Sequence, residues 1–146
     1  MKKSINLKKV FSTTLKPIPP YNFDPTVFKP SHYPDPLKVH EPGEYWFILR
    51  LASKVFGIKL VNKGTVRKPK IQVIIFSKIN LSKEKIKDII DEVSYRFEFK
   101  RDISDFSKKF EKDKVLSPFI KKWYGMHGSC GQDLYGLLMI GIFLQN

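Results

Sequence analysis

From Leu134 to Leu144 every position is apolar or glycine: Leu134, Tyr135, Gly136, Leu137, Leu138, Met139, Ile140, Gly141, Ile142, Phe143, Leu144. A helix built from this run has no polar face, and such a helix belongs inside a larger protein or a membrane. Spanning a bilayer takes roughly 20 apolar residues, so no membrane span is expected here. The run therefore predicts a central core helix whose covering layer lies beyond Asn146, in another chain or in further residues.

The rest of the 146 residues must supply that helix with a setting, and charge is the next constraint. The net charge is +13, and it is mostly lysine, with only Arg50, Arg67, Arg96 and Arg101 as arginines. Such an excess favours a polyanionic partner, because each neutralised phosphate releases condensed counterions. A lysine-rich proteome or a heat-adapted surface is the plainer alternative. Cys130 is the sole cysteine, so no intrachain disulfide forms, which suits a cytoplasmic protein. Lys2, Lys3, Lys8 and Lys9 are followed by no continuous apolar stretch, and a signal peptide is not expected.

Read along the chain, Val10 to Leu15 forms a short strand, stopped by Pro17, Pro19 and Pro20, since proline donates nothing to a ladder. Residues 21–44 hold five prolines and predict an irregular excursion anchored by Tyr21, Phe23, Phe28 and Tyr33, with a helical turn near Pro25. Tyr45–Ala52, Val55–Val61 and Lys70–Ser77 read as antiparallel strands joined by short links, with Tyr45, Phe47, Leu49 and Leu51 on one face. Leu81–Phe97 is the clearest helix. Ser82 is its N-cap, Leu81 and Ile86 form a hydrophobic staple, and Ile86, Ile89, Ile90, Val93 and Phe97 share a face. After Arg101 the pattern changes to short helices marked by Ile103, Phe106 and Phe110, then Leu116, Phe119, Ile120 and Trp123. The expected class is α+β. An antiparallel sheet with covering helices occupies residues 1–100, and residues 101–146 open an all-α domain that is cut short.

Three features carry a resemblance. A sheet with helices precedes a helical segment. Asp102, Asp105 and Phe106 lead through Leu116, Phe119 and Trp123 into Gly125-Met126-His127. Gln132-Asp133-Leu134-Tyr135 then opens an apolar helix ending in Phe143-Leu144-Gln145-Asn146. In these respects the chain resembles the base-excision DNA glycosylases of the helix-hairpin-helix superfamily, nearest to the 8-oxoguanine and 3-methyladenine glycosylases. His127 stands where an arginine is common in the family, and Gly136 where an acidic residue is common.

The resemblance implies DNA as partner, with Gln145 and Asn146 at the wedge that fills the gap left by a flipped base. It places the backbone-gripping hairpin, the lysine nucleophile and the catalytic aspartate downstream of this point. No catalytic residue is therefore assigned, and the chain alone is expected to be inactive. Lys108, Lys109, Lys121, Lys122 and His127 are the expected phosphate contacts, with a second cluster at Lys63, Arg67, Lys68 and Lys70. A solvated helical face is the usual fate of such runs.

No metal or cofactor is expected, because His127 and Cys130 fall short of a four-ligand set and His32 and His40 have no paired ligand. Gly125, Gly128 and Gly131 follow no strand and precede no Lys-Ser/Thr, so they predict tight turns rather than a phosphate cradle. Asp133 reads as a first-turn acid of the last helix. The expected partners beyond DNA are a separate C-terminal glycosylase half or a second copy docked through residues 134–144. Two alternatives remain open: a non-catalytic basic nucleic-acid-binding module, and a subunit docking by its apolar helix.

Overall fold

Alternation of apolar and polar residues builds the central sheet, and its five strands are all paired antiparallel. The structure, a computed structural model, describes residues 6–28, 37–51 and 53–129, together with 138, 141, 142 and 145. The strands are β1 (Lys8–Leu15), β2 (Lys38–Glu41), β3 (Glu44–Leu51), β4 (Lys54–Asn62) and β5 (Ile71–Ser77), in spatial order β1-β5-β4-β3-β2. The helices are α1 (Phe23–Val27), α2 (Lys83–Arg96), α3 (Ser104–Lys109) and α4 (Leu116–Lys122). The fold is α+β.

One face of the sheet holds the core. Tyr45, Phe47 and Leu49 of β3, Phe56, Ile58 and Leu60 of β4, and Ile71, Val73 and Ile75 of β5 are buried there with Ile89, Val93 and Phe97 of the α2 layer. Each such side chain contributes roughly 1.5–3 kcal/mol on leaving water. Helix α2 follows its sequence signals closely. Ser82 Oγ accepts from the Lys85 amide at 3.2 Å, and Leu81 and Ile86 pack against the core as a staple. Lys83, Glu84, Lys87, Asp88 and Asp91 are exposed.

Within the proline-rich excursion, the described residues 21–28 and 37–44 are more regular than its composition suggests. The turn near Pro25 is α1, where proline is tolerated because first-turn amides lack intrahelical partners. Tyr21, Phe23 and Val27 are buried anchors, whereas Phe28 is exposed and stacks on His40 at 4.7 Å. Strand β2 is an addition to the expected elements. Its mixed sequence hides it, but Val39 pairs with Trp46 and His40 with Tyr45 at the edge of the sheet.

Different elements gather at the two ends of the sheet. Leu15 and Asn62 both pair with Ile71, so the end of β1 and the β4–β5 loop share one end. The C-terminus of α2 reaches the same end, where the Ile18 amide donates to Phe99 O at 2.8 Å and the Tyr21 hydroxyl to Phe97 O at 3.1 Å. At the other end lie Lys8 opposite Ser77, and Lys54 opposite Leu51. Among the described residues no helix is long and apolar enough to cross a membrane.

Candidate nucleic-acid interface

Helices α3 and α4 bring the expected phosphate contacts to the surface. Lys108 and Lys109 occupy the last turn of α3, and Lys121 and Lys122 the last turn of α4, where the helix dipole favours cations. Neither helix buries a residue. Lys109 lies over the Phe110 ring at 5.5 Å and Lys122 over Trp123 at 5.3 Å, while Lys108 stands 4.0 Å from the exposed Asp105. No ion pair engages Lys109, Lys112, Lys114, Lys121 or Lys122 among the described residues. These ammonium groups are free to meet an anion.

Acids start both helices. Asp102 Oδ1 accepts from the Ser104 amide at 2.8 Å, and that backbone bond holds its carboxyl below the usual carboxylate range. Asp113 Oδ1 accepts from the Leu116 and Val115 amides, both at 2.8 Å, and these bonds lower it likewise. Phe106, Leu116, Phe119, Trp123 and Met126 meanwhile line an apolar groove of about 220 Å³ between the helices.

The segment after α4 is fastened to the sheet domain. Gly125 O accepts from the Asn22 amide at 2.6 Å, and Tyr124 O accepts from Asn22 Nδ2 at 3.2 Å. Gly125 has φ +78°, and a Cβ there would meet Val66 Cγ1 at 2.8 Å. Only glycine fits this turn without strain, as its predicted role requires. The Gly128 amide donates to Glu98 Oε2 at 3.0 Å, and Glu98 also pairs with Arg101 at 2.7 Å. Glu98 itself has φ +53°, just past the end of α2.

His127 departs from its expected role. It is 2 % exposed, its amide donates to Thr26 Oγ1 at 3.0 Å, and its Nε2 lies 2.9 Å from Pro20 O. A carbonyl oxygen only accepts, so Nε2 carries the proton. The ring is enclosed and offers nothing to a phosphate; it serves as a bolt between the segment and Pro20 with the following helix α1. Its Nδ1 is buried with no hydrogen-bond partner among the described residues and lies 3.8 Å from Glu98 Oε2. Tyr21 packs against the same imidazole at 4.8 Å, and burial pushes its hydroxyl well above the ordinary phenol range, with Glu98 adding to the shift.

Sequence reasoning misses Glu98, Asn22 and Thr26. Their partners in the segment after α4 lie 30 to 103 residues away, and no local pattern marks such pairs. A cleft of about 710 Å³ opens beside Glu98, lined also by Asp91, Tyr95, Lys100 and Arg101. Its acids are engaged: Asp91 lies 3.8 Å from both Lys87 and Lys100, and Glu98 holds Arg101.

Gln145, one of the two expected wedge residues, is exposed, with its amide donating to Ile142 O at 3.3 Å. Asn146, Cys130, Asp133, Gly131, Gly136, His32 and Tyr33 lie outside the described residues, as does most of the apolar run. Within that run Leu138 and Ile142 are helical and more than half exposed. His40 has a neighbour the sequence does not suggest, Asp24 Oδ1 at 3.1 Å. Among the described residues no three His, Cys, Asp or Glu side chains gather to hold a metal. Compared with family models, with curated proteins and with solved structures, the chain finds no match in any of the three.

Proposed function

We propose that this chain acts in DNA base-excision repair, as the DNA-binding and scaffolding part of a helix-hairpin-helix glycosylase. The observation that carries the reading is the set of exposed lysines at the C-terminal turns of α3 and α4, of which Lys109, Lys121 and Lys122 have no ion pair among the described residues. Those helices bury nothing of their own, so their lysines serve a surface role. The glycosylase assignment rests on the resemblance of the helical segment, and the resemblance matches no catalytic residue to any position of the chain. The whole enzyme would flip a damaged base from the duplex and hydrolyse its N-glycosidic bond.

Fluorescence anisotropy with a DNA duplex about 20 base pairs long tests the binding. Affinity is expected to be sequence-independent and to fall steeply with salt, and exchanging Lys108, Lys109, Lys121 and Lys122 for glutamine should flatten that dependence. An unchanged slope retires the reading. Base release from 8-oxoguanine or alkylated duplex is expected to be absent for the purified chain, because a general base must lie within hydrogen-bond reach of its target and the cleft's acids are already paired. Turnover that copurifies with the chain would overturn this.

A second reading, a module for single-stranded nucleic acid, has one observation in its favour. The sheet face opposite the core carries Trp46 and Phe76, both partly exposed, with ring centroids 5.4 Å apart. Lys59, however, covers the Trp46 ring at 4.7 Å and pairs with Glu44 at 2.6 Å, which occupies the surface a base would stack on.

A further inference from the structure

Two lysine-rich stretches far apart in sequence meet at one end of the molecule. The β4–β5 loop carries Lys63, Arg67, Lys68 and Lys70, all exposed and without an ion pair among the described residues. The loop is stiff. The Lys63 amide donates to Lys70 O at 2.8 Å, and Thr65 and Lys68 exchange backbone bonds at 3.2 Å. Gly64 sits against Lys68 O and Lys70 N so closely that no side chain fits.

This loop abuts the segment after α4. Val66 O accepts from the Tyr21 amide at 2.9 Å, and Val66 Cγ1 presses on Gly125, three residues beyond Lys122. With successive Cα atoms about 3.8 Å apart, Arg67 and Lys122 are held within roughly 20 Å of each other. A duplex carries one charge per about 1.7 Å of axis, so that span matches roughly 12 phosphate charges.

We infer that the β4–β5 loop and the end of α4 form one bipartite surface that tracks the phosphates of a DNA duplex. The inference rests on the proposed DNA-binding reading and extends it to the sheet domain, which thereby grips the duplex rather than only supporting the helices. A stiff duplex is the fitting partner because hydrogen bonds hold the backbone that carries both cation groups, and a fixed spacing between the two groups suits a partner whose charges are spaced regularly. Glu98 is paired with Arg101, and Asp102 and Asp113, which accept from backbone amides and stay anionic, are outnumbered by the cations of this surface.

The test compares four proteins by duplex anisotropy over a salt series: the wild type, a loop variant, a helix variant and a control. The loop variant is Lys63→Gln, Arg67→Gln, Lys68→Gln, Lys70→Gln; the helix variant is Lys108→Gln, Lys109→Gln, Lys121→Gln, Lys122→Gln. The control, Lys8→Gln, Lys9→Gln, Lys54→Gln, Lys78→Gln, removes the same charge from the opposite end of the sheet. Unchanged melting curves establish that all four are folded. Every phosphate left without its cation lowers the log–log salt slope by about 0.9, so the loop variant is expected to lower it by roughly 2 to 3.6 and the control by less than about 0.5.

A control that flattens the slope as much as the loop variant overturns the inference, since net charge alone would then explain binding. Loss of slope in the helix variant with none in the loop variant overturns the inference while leaving the DNA-binding reading intact. Failure of the wild type to bind duplex defeats both. Tighter binding to the single strand, sensitive to the loop variant, overturns the choice of a duplex.

Discussion

Helices α2 and α4 are written with the same device and end in opposite states. Ile86, Ile89, Val93 and Phe97 recur at spacings of three and four, and so do Leu116, Phe119, Ile120 and Trp123. In α2 the repeat is sealed against the sheet, with Ile89, Val93 and Phe97 at 1 % exposure or less. In α4 it lines an open groove, and Phe119 is 60 % exposed. Periodicity states which face of a helix is apolar. Whether that face is covered depends on what the rest of the chain brings to it.

The largest effects that would break this comparison lie in the two phenylalanines. Phe97→Ala is expected to cost about 3–5 kcal/mol in urea unfolding, as a large core truncation does. Phe119→Ala should fall within about 0.5 kcal/mol of wild type. A cost above about 2 kcal/mol for Phe119→Ala would show that α4 is packed in solution and that the contrast is false.

Next in size is the seam between the two regions. His127→Ala strands the Pro20 carbonyl and should cost about 1–3 kcal/mol. Limited proteolysis near residues 100–104 should accelerate with it, because the bolt to Pro20 is gone. Equal cleavage rates would mean that the helical segment is held by something other than this histidine.

The N-cap of α2 comes third. Ser82→Ala should lose about 1 kcal/mol, read as a lowered midpoint with the same denaturant slope. No loss would place the start of α2 under tertiary rather than local control.

Acid supplies the smallest and most local effect. The carboxyls of Asp102 and Asp113 are lowered in the folded chain, so their contribution is present above the ordinary aspartate range and is lost as pH falls through the folded values. Amide exchange at Ser104, Val115 and Leu116 should therefore quicken, relative to its intrinsic rate, at acidic pH. The amides of α2 behind Ser82, whose cap is a hydroxyl, should be unaffected by this mechanism. Identical responses in the two regions would remove the distinction between their caps.

The sequence carries α2 almost whole, because cap, staple and stripe all lie within 17 residues of one another. The three inner strands are legible for the same reason. Strand β2 is not: Lys38, Val39, His40 and Glu41 alternate weakly, and an edge strand needs little apolar surface. The position of β1 beside β5 is set by pairing across some 60 residues and has no local signature. From sequence His127 reads as a phosphate contact or as a plain solvent-facing or hydrogen-bonded histidine, and its partners Pro20 and Thr26 are not legible because they precede it by 107 and 101 residues. Both basic clusters are visible as clusters, while their meeting at Val66 and Gly125 is a tertiary fact.

Glu98 shows how a backbone position can serve two masters. A residue just past a helix end with φ +53° is one where glycine is the relaxed choice, and glutamate there carries strain. Its side chain is what reaches Gly128 and Arg101, so replacing it by glycine relaxes α2 and unties the segment behind it. Thermal stability and attachment of the helical segment are thereby set against each other at a single codon. Selection for a higher melting temperature alone would favour the glycine and loosen the helical segment; selection for a firmly attached segment keeps the acid.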